Sequence, residues 1–123
     1  MVKSIRTFVA LVATPLVFAV GSAHAAYTGT CGAEFTTLEG AIAYAKTFKS
    51  EKDRTGMLSK VSGAVIKVDA GKVDDAVTLI IAVSDKADEL SSAAKPKLGM
   101  GDATSIMNGA YATVLCLNPN YIP

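Results

Sequence analysis

The chain has 123 residues, twelve Lys and Arg against eleven Asp and Glu, one His, two Cys and no Trp. Lys3, Arg6 and the sole histidine, His24, fall within the first 25 residues, and the 98 that follow keep ten basic side chains against eleven acidic. That excludes His-dependent nucleophilic catalysis, a His-based metal site and a strongly basic nucleic-acid surface, and it bounds the chain to one small domain.

The first 25 residues read as an export signal. Lys3 and Arg6 form a positive start, Phe8 to Val20 is an apolar run of 13 residues, and Ala23-His24-Ala25 is a small-residue cleavage site. A spanning helix needs about 20 apolar residues, and Pro15 interrupts this shorter run. Cys31 follows Thr28-Gly29-Thr30, which is not a lipid-attachment motif. A periplasmic or secreted protein is expected, made of residues 26–123, with no membrane span after cleavage. In such a protein two cysteines usually pair, so Cys31 and Cys116 are expected to form a disulfide closing nearly the whole domain.

Four helices are expected, in a small antiparallel bundle of the all-α class. The first spans about Thr36 to Ser50. Thr36-Thr37-Leu38-Glu39 fits a capping box, and Phe35, Leu38, Ile42, Ala45 and Phe48 recur at helical steps. The charged run Lys49 to Arg54 reads as a solvated loop or frayed end. The second helix spans about Thr55 to Ala70, with Leu58, Val61, Val65 and Val68 as its apolar stripe and Gly71 as its left-handed terminator. The third spans Lys72 to Ala94, with Val73, Ala76, Ile80, Val83, Ala87, Leu90 and Ala94 on one side and Asp74 and Asp75 in its first turn. The short Ala70-Gly71-Lys72 join forces a helical hairpin. After a loop from Lys95 to Gly101, Asp102 is placed to cap the fourth helix, which Asn118-Pro119 stops. Ile106, Ala110, Val114 and Leu117 make one apolar face of this helix; Met107, Tyr111 and Leu115 make another, so it is expected at the centre.

The segments Leu58-Ser59-Lys60-Val61, Val68 to Ala76, Ile80 to Leu90, Lys95-Pro96-Lys97-Leu98 and Asp102-Ala103 with Ile106 share a layout with a known type. From about Leu58 to Cys116 the chain resembles the FIMAH-type helical module of exported bacterial proteins. Val83 stands where that module carries an aromatic, and the order of Gly and Lys in the second loop differs. The resemblance implies a non-catalytic accessory part of a surface or secreted protein, with no ligand or binding residue to carry over.

Little in the chain carries chemistry. Its serines have no histidine to activate them, and adjacent Ser59 and Lys60 point about 100° apart on a helix. Asp74, Asp85 and Asp88 share the face opposite the third helix's stripe. That face reads as solvated, ahead of weak divalent-cation binding and of acid–base catalysis. Gly99-Met100-Gly101 lacks the rest of any phosphate-loop fingerprint. No enzyme, cofactor, metal or nucleic-acid partner is expected. What remains is apolar surface beyond the needs of one core: Val77, Ile81, Met107, Tyr111 and Leu115 are candidate contacts for a protein partner or a second copy of the chain. Two alternatives stay open: a carrier of a small apolar ligand, and a small periplasmic inhibitor that plugs an enzyme with the Lys95–Gly101 loop.

Overall fold

A computed structural model describes residues 26–123; the export-signal reading falls outside the described residues. Among the described residues there are four helices and no strand: α1 Gly32–Ala43, α2 Glu51–Asp69, α3 Val73–Ser92 and α4 Met100–Leu117. Each packs on two others, α1 on α2 and α4, and α3 on α2 and α4, so the four close a ring around one core. Two links show that α1 and α4 run antiparallel. The Cys31–Cys116 disulfide joins the start of α1 to the end of α4, with Cα atoms 6.0 Å apart. Asp102, in the first turn of α4, binds the chain just past the end of α1.

The core is the apolar faces brought together. Phe35, Leu38 and Ile42 of α1, Met57, Val61 and Ala64 of α2, Ala76, Ile80, Val83, Ala87 and Leu90 of α3, and Ile106, Ala110 and Val114 of α4 are all buried. Leu58, Val65 and Val68 pack half-buried at its edge. The Thr113 hydroxyl, buried among them, donates to the Gly109 carbonyl 2.8 Å away and so brings no unmet polar group into the core. Gly71 ends the α2 connection with φ +78°, a conformation that costs a residue with a Cβ.

Three expected helix ends are corrected. First, the Thr36–Glu39 capping box does not form, because α1 begins four residues earlier. Cys31, held in the disulfide with φ 59°, is the N-cap residue, and its carbonyl accepts the Phe35 amide at 3.0 Å. Thr36 and Glu39 lie inside the helix and serve Tyr27 instead: the Tyr27 amide donates to Thr36 Oγ1 at 3.0 Å and its hydroxyl to Glu39 Oε2 at 3.2 Å.

Second, α1 stops at Ala43 and not near Ser50, so Phe48 leaves the helix, and the charged run becomes the first turn of α2. Ser50 caps that turn by accepting the Lys52 amide at 3.2 Å, and Glu51 and Asp53 lie where the helix dipole favours acid. Arg54 then folds back and donates to the Ile42 and Ala43 carbonyls, 2.9 Å each, satisfying the end of α1. Its guanidinium lies 4.9 Å from the centre of the Phe48 ring.

Third, Asp102 does not cap α4. The N-cap residue is Gly99, and the Asp102 carboxylate turns sideways to accept the amides of Lys46 and Thr47, 3.0 Å each, and the Thr47 hydroxyl. Thr47 Oγ1 in turn accepts the Gly99 amide at 2.8 Å. A Cβ on Gly99 would fall 2.7 Å from that oxygen, so a larger residue here would have to displace the Thr47 side chain and its bonds.

Candidate functional site

Sequence reasoning places five candidate contacts on two helices, and the structure sorts them. Val77 is corrected: it is only 8 % exposed and belongs to the core. α3 is covered by α2 on one flank and α4 on the other, so its buried arc is wider than a single stripe. Ile81 and Met107 are half-buried and pack against the core edge, and Leu115 is half-buried. Tyr111 is 49 % exposed.

Two of the five, Ile81 and Tyr111, come together. They wall a cleft of about 180 Å³ between α3 and α4, floored by Ile80, Ala110 and Val114 and closed on one side by Tyr121 of the C-terminal tail. Ser84 and Asp85 supply its polar edge. The tail is held there because the Tyr121 amide donates to the Asn118 carbonyl at 2.9 Å, a turn that Pro119 follows naturally. Sequence reasoning missed Tyr121. An aromatic two residues past an Asn-Pro stop can only return to the bundle or stand in water, and that was the available signal.

The acidic residues do not assemble. Asp74, Asp85 and Asp88 are exposed, and Asp74 lies about three turns, some 16 Å, from Asp85 along the helix axis. Asp88 accepts the Ser92 hydroxyl at 3.3 Å, and Glu89 pairs with Lys86 at 3.7 Å. Glu34 lies beside the two cysteine sulfurs, but a cystine has no thiolate to offer a metal.

Two further polar clusters were not legible in the sequence. Tyr27 packs edge-on to Phe35, with ring centroids 6.2 Å apart. Its hydroxyl lies 3.2 Å from the buried Glu39 carboxylate and 3.4 Å from Ser62 Oγ. Burial first, and then the Glu39 charge, push the Tyr27 hydroxyl above its ordinary pKa, against the opposing Ser62 bond. At the other cluster, the Thr47 hydroxyl first, then the Thr47 and Lys46 amides, hold the Asp102 carboxyl below the usual carboxylate range, outweighing its partial desolvation. Both clusters tie segments of the chain together.

No family model matches the chain, no curated protein matches it, and no solved structure matches it. No described helix is long and apolar enough to cross a membrane.

Proposed function

We propose that this chain is an exported, non-catalytic protein-interaction module that receives one apolar or aromatic side chain of its partner in the α3–α4 cleft. The observation that carries the reading is the size and lining of that cleft. Small-molecule sites usually span about 300–1,000 Å³, and this one is about 180 Å³. Its floor is aliphatic, its walls include two tyrosines, and Ser84 and Asp85 stand at the edge to orient an incoming backbone. A recess that takes one anchoring side chain, rimmed by aromatic and polar groups, is how protein interfaces concentrate their binding energy. The export pattern of residues 1–25, the Cys31–Cys116 bridge and the FIMAH-like layout from Leu58 to Cys116 agree with an accessory module outside the cytoplasm.

The same apolar lining supports a second reading, a carrier of one small apolar molecule, since an engineered cavity of about 150 Å³ takes up benzene. One experiment separates the two: native mass spectrometry of the protein recovered from its own cell envelope. A complex with a second polypeptide, lost on Tyr111→Ala, supports the interaction module. A stoichiometric small-molecule adduct supports the carrier. The bare chain at every concentration tried overturns both.

A further inference from the structure

We infer that a second cleft, at the end of the bundle away from the disulfide, binds an acidic segment of a partner polypeptide, with an apolar side chain seated in the cleft and flanking carboxylates on lysines. This goes beyond the α3–α4 cleft and stands on different residues.

Two loops build this end, residues 44–50 between α1 and α2 and residues 93–99 between α3 and α4. Together they carry Lys46, Lys49, Lys95 and Lys97 and no acidic residue. All four lysines are exposed. No ion pair engages any of them among the described residues, whereas Arg54 and Lys86 each have a carboxylate partner. Between the loops lies a cleft of about 510 Å³. Phe48 and Pro96 give it an apolar wall over the buried Leu98, and Lys46 and Lys49 line it as well.

The loops are fixed before any ligand arrives. Asp102 gathers Lys46 and Thr47, and Thr47 holds Gly99. The Lys49 amide donates to the Lys97 carbonyl at 3.0 Å, and the Lys97 amide donates to the Leu90 carbonyl at 2.8 Å. Leu98 is 1 % exposed and anchors its loop in the core. The loop backbones that carry the four lysines are therefore fixed, with no need to order the loops on binding.

The same hydrogen bonds decide what fits. The amides of Lys46, Thr47, Lys49 and Gly99 are all engaged within the protein. Those four amides are therefore not free to take a bare phosphate or similar small anion. Lysines supply point charges and not the planar fork that clamps a phosphate. Diffuse positive charge around an apolar recess suits carboxylates spaced along a chain on either side of an apolar residue. A lipid surface would be met by apolar side chains standing outward, and Tyr44 and Met100 do so near this end, so vesicles belong in the test beside the peptide.

The test is an amide NMR titration of the oxidised protein with the synthetic peptide Glu-Glu-Phe-Glu-Glu. Expected are shifts confined to residues 44–50 and 95–102, binding that weakens as salt rises, and about tenfold weaker binding in Lys46→Glu with Lys49→Glu. Both substituted side chains are exposed, so the melting temperature should stay put. Lys95→Glu with Lys97→Glu should weaken binding in the same direction, so the proposal does not hang on one variant. No shifts, shifts centred elsewhere, or full affinity in both double variants would overturn it. Sedimentation with phosphatidylglycerol-containing vesicles, with the peptide inert, would overturn it in favour of a lipid surface. Peptide binding that survives Tyr111→Ala would leave this site standing even if the α3–α4 reading fails.

Discussion

At the end where α1 starts and α4 finishes, Cys31 and Cys116 are joined covalently across 85 positions of sequence. At the opposite end, where α1 finishes and α4 starts, no covalent link exists. One carboxylate, Asp102, gathers the Lys46 and Thr47 amides and the Thr47 hydroxyl, while Arg54 covers the last carbonyls of α1. The two ends solve the same problem, holding α1 against α4, by different physics. The disulfide acts chiefly on the unfolded chain by removing its conformational freedom, and is indifferent to pH. The Asp102 and Arg54 contacts act only in the folded state and depend on charge. The first end is therefore sensitive to reductant, the second to acid.

The sharpest way to break this comparison is to open the disulfide. In the chain-entropy model a loop of this length is worth about 4–5 kcal/mol. Reduction, or Cys31→Ser with Cys116→Ser, should lower the melting temperature by about 20 °C or more for a domain of this size, read by circular dichroism. Next comes Arg54→Met. It removes two charged hydrogen bonds to buried-end carbonyls and the contact with Phe48, and should cost about 2–3 kcal/mol in denaturant unfolding. Arg54→Lys should recover only part of that, since one ammonium does not replace the fork.

Asp102→Asn should cost less, about 1–2 kcal/mol, because the site is largely solvated. Its signature is the pH profile. The folded carboxyl has a lowered pKa, so over the acid range the unfolded chain binds the proton more readily. The stabilisation is therefore present above the unfolded value of about 3.9 and is lost as pH falls through the folded value. Parent and variant curves should converge in acid, while the disulfide contribution persists. Parallel curves at all pH would show that Asp102 does not act through its charge.

The smallest effect is expected at the disulfide end, from Tyr27→Phe, at about 1 kcal/mol for the lost bonds to Glu39 and Ser62. The Tyr27 pKa is raised, so its contribution is present below the unfolded value of about 10 and is lost as pH climbs through the folded one. The alkaline limb should therefore flatten in the variant.

The elements read most clearly were those whose signal is local. The α3 stripe follows from a step of three or four residues, and Ala76, Ile80, Val83, Ala87 and Leu90 reached the core, though Val73 is half-buried and Ala94 is exposed past the helix end. The α2 stripe was read one position off, since Met57, Val61 and Ala64 are its core residues and Leu58, Val65 and Val68 only edge it. Gly71 announced its own left-handed turn. Leu98 is one of two large apolar residues between Lys95 and Gly101, and only the fold shows that it is buried while Met100 is exposed. The loop end was misread because its partners lie far apart in sequence. Asp102 is a good N-cap by local rule, but the waiting amides of Lys46 and Thr47, over fifty positions away, took its carboxylate. Thr36 and Glu39 fit a capping box until Cys31 set the start of α1 earlier and Tyr27 claimed both side chains.

By itself the sequence determined the helical class, the number of helices, the cysteine pairing and most of the core, because helical periodicity is a constraint each segment carries alone and two cysteines admit one intrachain pairing. Only the tertiary structure decided which flank of α3 is covered, and with it the burial of Val77; it alone brought Ile81, Tyr111 and Tyr121 around one cleft and set Lys46 and Lys49 beside Pro96 and Leu98 in another. The reason is that exposure on a helix depends on how many neighbours it has, and hydrogen-bond partners go to whichever group the fold brings nearest. Both are properties of the packed bundle and of no single segment.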